Sequence, residues 1–205
     1  MINDLSQIPI PRLSEYRYYV GHTMALRDLA IPVLDGHDVH MNFRIHRGTA
    51  EDWAVYREIR LRMLTEAPDA YASSFAFEAR MPEERWRERA ANPLHFMAYT
   101  PDGQLAGTAT GLPAADRTVD VVAMYVDPRF RGQGCAEQLL DAMAEAARDR
   151  GARRLVLHVT AGNEAANRSY SRYGFVPTGR SWPMERDPDL IEVELAFALT
   201  PSAVD

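Results

Sequence analysis

Apolar residues from Asn42 onward recur with two alternating periods, and the alternation predicts an α/β domain. A short strand over residues 43–46 is followed by Thr49, which caps a helix. That helix carries Trp53, Tyr56, Ile59, Leu61 and Leu64 before Pro68 closes it. Residues 73–89 contain a second helix, with Pro82 near its first turn and Trp86 on its buried side. Two strands, 94–100 and 105–112, flank Pro101-Asp102-Gly103-Gln104, an Asp-Gly hairpin signal, and residues 118–126 supply the next antiparallel strand. Residues 135–150 repeat Leu139, Leu140, Met143, Ala146 and Ala147 at helical spacing. The strand that follows, 155–159, therefore runs parallel to 118–126, because a helix crosses between them. A short helix over 164–172 ends at Gly174, and residues 175–179 and 190–199 finish the sheet as a hairpin-like pair.

The first forty residues follow a different pattern. Ile8-Pro9-Ile10-Pro11 is extended, residues 16–19 are aromatic, and Asp35-Gly36-His37-Asp38 is a turn signal. Residues 1–41 read as an arm joined to a domain over 42–200, and Met41 is an alternative start for the minimal domain. The arm is too apolar for a solvated tail, so it is expected to pack on its own domain or on a second copy, as a homodimer.

Composition narrows the chemistry. All 23 basic residues are arginine, so the lysine of a Walker loop and Schiff-base catalysis are both excluded. Cys135 is the single cysteine, which excludes an intrachain disulfide framework and a cysteine-rich zinc site and fits a reducing compartment. The six histidines show no metal-ligand spacing, so no metal is expected. No apolar run reaches spanning length and the first residues lack a signal-peptide pattern, which predicts a cytoplasmic protein with no membrane partner. A net charge of −6 argues against nucleic acid and tilts the partner toward a cationic or neutral molecule.

Between the strand 118–126 and the helix that follows lies Val-Asp-Pro-Arg-Phe-Arg-Gly-Gln-Gly-Cys-Ala, residues 126–136. Gly132 and Gly134 permit positive φ and let a ligand approach bare main chain. The free N–H groups and dipole of the helix's first turn then favour an anion such as a pyrophosphate. A dinucleotide fingerprint is not met, because the residue three after Gly134 is Glu137 and the next strand ends in His158-Val159-Thr160.

This stretch resembles the coenzyme A loop of the GNAT superfamily of acyl-CoA-dependent N-acetyltransferases. Arg131-Gly132-Gln133-Gly134-Cys135-Ala136 fits that signature at every fixed position. A second block, residues 163–175, resembles the family's Asn-x-x-Ala-x-x-x-Tyr-x-x-x-Gly-Phe, with its alanine read as Ala165 or Ala166. The resemblance implies a GNAT fold, a mixed central sheet with a splayed parallel strand pair flanked by helices. It also implies acetyl-CoA as cosubstrate and a small-molecule amine, a protein N-terminus or a lysine as acceptor.

By that resemblance the pantetheine arm enters the gap between the parallel strands and bonds the backbone of Met124, Tyr125 and Val126. Arg131, Gly132, Gln133, Gly134, Cys135 and Ala136 hold the diphosphate. Asn163, Asn167 and Tyr170 fall at i, i+4 and i+7, which puts them on one helical face. The resemblance gives the asparagines the pantetheine amides and Tyr170 the thioester sulfur, as general acid. Asp120 is the candidate general base, with a solvated strand residue as the alternative reading and His158 in reserve. Tyr173 is the rival tyrosine, expected in the core. Cys135 at a helix N-terminus invites a nucleophile reading, but a small buried hydrophobe is the simpler one. Glu66, Asp69 and Glu78 are acids on the acceptor side that could receive a cation. A non-catalytic acyl-CoA-binding or sensor module on the same fold is the competing function.

Overall fold

Strand β1 (Arg44–Arg47) leads into a 3-10 turn and helix α1 (Trp53–Glu66). The Asp52 carboxylate fixes that entry by accepting from Thr49 N at 2.8 Å, Thr49 Oγ1 at 2.7 Å and His46 Nε2 at 2.9 Å. The segment expected to hold one helix holds a short α2 (Phe75–Glu78), capped by Ser74, and then α3 (Glu83–Ala90), with Pro82 at its N-cap. The chain continues through β2 (His95–Tyr99), β3 (Leu105–Ala114), β4 (Thr118–Val126), α4 (Cys135–Arg148), β5 (Arg154–Thr160), α5 (Glu164–Tyr173), β6 (Val176–Pro183) and β7 (Ile191–Ala198). This computed structural model describes residues 41–71, 73–184 and 187–200, apart from the Asp69 side chain, so the arm over 1–41 lies outside the described residues except for Met41.

The sheet has seven strands in the order β1-β2-β3-β4-β5-β7-β6, and all neighbours are antiparallel except β4 and β5. The expected mixed sheet flanked by helices is therefore the observed one. The largest departure from the expected ranges is in β6, which runs on to Pro183. Gly179, read as the end of β6, instead sits at φ 84° where the register with β7 shifts, and pairing resumes from Ser181 to Pro183. At Gly174 the expected left-handed cap forms, with φ 113° and its N–H donating to Tyr170 O and Ser171 O.

A core lies on each face. One packs Leu139, Leu140 and Met143 of α4 and Tyr170 of α5 on Val121, Met124, Val126, Leu155 and Leu157. The other packs Tyr56, Ile59 and Met63 of α1, Tyr71 and Trp86 on Val122, Ala123 and Tyr125. The domain's first residues are pinned to α4 and to the turn before it. Met41 N donates to Gln133 O at 3.1 Å, Gln138 Nε2 donates to Met41 O at 2.8 Å, and Phe43 N donates to Gln138 Oε1 at 3.0 Å.

β4 and β5 pair only at Thr118 with Arg154, Val119 with Leu155 and Asp120 with Val156. Arg154 Nε, donating to Thr118 Oγ1 at 2.7 Å, staples the closed end. Beyond it β5 stays with β7 through Thr160, while β4 stays with β3 and bulges. Thr108 pairs with Tyr125 but Thr110 with Val122, so β4 carries an extra residue, and Ala123 there has φ 51°. The two strands therefore part, leaving the β5-facing main chain of β4 without a ladder partner beyond Asp120.

Candidate functional site

The gap opens onto the N-terminus of α4. Gly132 and Gly134 have φ of 72° and 84°, and a Cβ added at Gly132 would meet nothing within 4 Å. None of the N–H groups from Gly132 to Glu137 donates to an acceptor among the described residues, so the turn presents a run of free donors at the positive end of a helix. A cleft of about 160 Å³ stands over them. Met124 and Val126 of β4, Phe130 to Gly132, Cys135 to Glu137, and Ala165, Ala166, Ser169, Tyr170 and Arg172 of α5 line it. Arg172 Nη2 meets Glu137 Oε1 at 2.9 Å, and Arg131 donates Nε to Val126 O at 3.0 Å, so the lining holds two guanidinium groups and one carboxylate. Free amides, bare glycine and net positive side chains are the donor set that suits a diphosphate.

The residues singled out from sequence divide into groups. Arg131, Gly132, Cys135, Ala136, Met124, Val126 and Tyr170 line the cleft. Gln133 turns its side chain back to Arg129 O at 2.9 Å and offers only its main chain. Asn163 caps α5, its Oδ1 accepting from Ala166 N at 3.1 Å, and Asn167 Nδ2 donates to Asn163 O at 3.0 Å. Both asparagines thus stand at the head of α5, while Ala165, Ala166 and Ser169 form its wall of the cleft. Tyr125 turns away to the other face and donates its hydroxyl to Glu66 Oε2 at 2.7 Å.

Tyr170 is 2% exposed, with its ring edge-on to Phe175 at 5.7 Å. Burial, and then the neighbouring Tyr71, hold its phenol well above the usual range, so the hydroxyl keeps its proton. The rival Tyr173 is half-buried at the edge of the core, where it packs on Phe197 and donates to Asp141 Oδ1 at 2.9 Å. Cys135 is buried and its thiol is pushed up to about 12 by desolvation and Glu137, which removes the thiolate a nucleophile needs.

Asp120 occupies the last paired position before the strands part. Six residues before Val126 on a regular strand it would share that residue's face, but the bulge at Ala123 inverts the alternation. Val119, Val121, Met124 and Val126 look toward α4, whereas Val122, Ala123 and Tyr125 look toward α1 and α3. Asp120, between Val119 and Val121, points to the latter side. Desolvation and then Glu194 raise its carboxyl to about 6, against Arg154 and Arg180. His158 lies nearby on β5, 3.7 Å from Glu194 and edge-on to Trp182 at 4.8 Å.

Of the acids expected on the acceptor side, Glu78 cannot receive a cation from outside. It is 0% exposed and already holds Arg60 through two bonds of 2.9 and 2.6 Å and Arg89 through one of 2.8 Å. Burial alone would raise it, but these arginines bring it to about 2. Glu66 remains exposed beside Tyr125, and the Asp69 side chain lies outside the described residues. Sequence reasoning missed Tyr71 and the Arg60–Glu78–Arg89 network. It also missed Asp127, which accepts from Arg129 N at 3.0 Å and pairs Arg62 and Arg129 at 3.0 and 2.9 Å below β4. The Asp-Pro step before the turn was the available signal for that cap.

A model of the acetyltransferase (GNAT) family matches residues 53–175. A Bacillus subtilis protein named for a proposed [ribosomal protein bS18]-alanine N-acetyltransferase activity is 29% identical over 127 residues, 62% of this chain and 83% of that one. Streptothricin acetyltransferase of Streptomyces lavendulae is 38% identical over 90 residues, 43% of this chain and 48% of its own length. Among solved structures, one of a Salmonella typhimurium protein with its cofactor acetyl-CoA superposes with a TM-score of 0.59 at 19% identity, covering 80% of this chain and 98% of that one.

Proposed function

Because the chain belongs to the acetyltransferase (GNAT) family, we propose that it moves an acetyl group from acetyl-CoA to a primary amine by direct attack within a ternary complex. The observation that carries this reading is the parting of β4 and β5 just past Asp120, above a glycine turn whose donors are unspent. When bound, acetyl-CoA supplies an acyl group already activated as a thioester. The main-chain N–H groups of Gly132 to Glu137, with Arg131 and Arg172, bind the diphosphate. The open edge of β4 at Met124, Tyr125 and Val126 receives the pantetheine arm as a half-strand, with Asn163 and Asn167 at the head of α5 as partners for its amides.

Tyr170 holds a proton at its hydroxyl for the departing sulfur. Asp120, ionised above about 6, takes the acceptor's proton directly or through water, and its placement on the α1 face separates that task from the cleft side of β4. Orientation supplies most of the rate gain, since the acyl group arrives activated. The acceptor is a small-molecule amine or a protein N-terminus or lysine. One relative is named for a ribosomal-protein alanine and another for streptothricin, and Glu66 with the net charge of −6 suits a cationic amine of either class. The lone buried cysteine fits a cytoplasmic setting, and among the described residues no helix is long and apolar enough to cross a membrane.

Calorimetry with acetyl-CoA and coenzyme A, and thiol release with a panel of amines, test the reading. Tyr170→Phe should keep both affinities within about twofold and lose about 100-fold in turnover. A wild-type protein silent to both ligands would overturn the cosubstrate, and unchanged turnover in the variant would remove Tyr170 as the acid. Binding without turnover of any amine would favour the acyl-CoA sensor.

A further inference from the structure

Tyr71, in the connection between α1 and α2, is 0% exposed, and its hydroxyl has no hydrogen-bond partner among the described residues. Its neighbours hold it firmly. The Arg60 guanidinium lies 5.4 Å from its ring centre, and Arg60 is itself locked by Glu78. The ring belongs to the same buried cluster as Val122, Ala123 and Tyr125, so it sits on β4 at the bulge. The charges of Arg60, Arg131 and Glu66 all reach its hydroxyl, and that hydroxyl in turn perturbs Tyr170. Tyr71 thus approaches the parting strands from the α1 side, while Tyr170 approaches from α5.

An unpaired buried hydroxyl is costly, and native folds rarely keep one without use. The other unpartnered ring nitrogens, Trp86 Nε1 and His95 Nε2, belong to rings that pack edge-on to Tyr56 of α1. Resting on the proposed acetyl transfer, we infer that the Tyr71 hydroxyl donates a hydrogen bond to the acyl carbonyl oxygen of the bound thioester, opposite Tyr170 at the sulfur. Two chemical reasons select that oxygen. Burial, opposed by Arg60 and Arg131, keeps the phenol protonated, so it acts as a donor and not a base. A donor aimed at the acceptor amine would occupy the lone pair that must attack, whereas one aimed at the carbonyl draws charge onto oxygen and makes the carbon more electrophilic.

Tyr71→Phe tests this with two readouts that need no acceptor. Calorimetry should show coenzyme A bound within about twofold of wild type and acetyl-CoA weakened about fivefold, the size of one hydrogen bond. With acetyl-CoA carrying carbon-13 at the acyl carbonyl, the bound resonance should move upfield in the variant, toward its free value. The melting temperature should hold or rise, since no bond is lost in the free protein. Equal acetyl-CoA affinity with an unmoved resonance would overturn the inference, as would equal weakening of both ligands. If the variant does not fold, a wild-type carbonyl resonance identical bound and free overturns it alone. Failure of the wild type to bind either ligand would instead sink the acetyl-CoA reading itself.

Discussion

The two faces of β4 differ in what they do with charge and with main-chain donors. Under α1 and α3, the Glu78 carboxylate is shared between Arg60 and Arg89, with Arg60 only 2% exposed. Across the sheet, the N–H groups from Gly132 to Glu137 donate to no acceptor among the described residues, and no hydrogen bond among those residues engages the Tyr170 hydroxyl. The first arrangement stabilises the layer that carries Tyr71 and the connection between α1 and α2. The second leaves donors unspent where a ligand can use them. Paired charge marks the framework and unspent main-chain donors mark the site, although Tyr71 Oη, Trp86 Nε1 and His95 Nε2 stay unpartnered within the framework layer.

If that division is right, damage to one side should spare the property of the other. Glu78→Gln leaves Arg60 buried without its counter-charge and should cost about 3–5 kcal/mol by denaturant unfolding. Coenzyme A affinity of the protein that remains folded should stay within about twofold, and a variant of unchanged stability would erase the contrast. The same carboxyl sets an acid limit. Its pKa falls from 4.5 to about 2 on folding, so its contribution is complete above 4.5 and drains as pH drops toward 2. Gly134→Ala forces a side chain onto φ 84°, which should cost about 1–2 kcal/mol in stability and, by shifting the donors, weaken acetyl-CoA by about tenfold.

Asp120→Asn is the mildest probe and sharpens the comparison most, because Asp120 stands at the fork itself. Its folded pKa is raised, so its contribution is best below 3.8 and is lost as pH rises through about 6. The variant should therefore gain on wild type in stability between pH 4 and 7, read by thermal melts across that range. It should also flatten the rise in turnover centred near 6. A rise that persists unchanged would pass the base to another group, with His158 next in line.

Much of the cleft side was legible in the chain because its determinants are local. Glycines at fixed offsets between an apolar strand and an amphipathic helix specify the turn, and the crossing helix specifies the parallel pair. The helical face shared by Asn163, Asn167 and Tyr170 likewise follows from their spacing on α5. The α1 side was far less legible. Glu78 carries the same letter as any solvated acid, and only packing against Arg60, 18 positions earlier, turns it into a buried clamp. Tyr71 reads as a loop aromatic until the fold lays it on Val122 and Ala123.

The sequence by itself determined which segments are helices and strands, where the chain turns, and where anions would find free amides, because each depends on residues within a few positions of one another. Tertiary structure alone decided which face each group serves. One extra residue at Ala123 reverses the alternation of β4, so Asp120 and Val126, six apart, look to opposite sides of the sheet. A bulge is a mismatch between two strands, and no single strand's residues encode it.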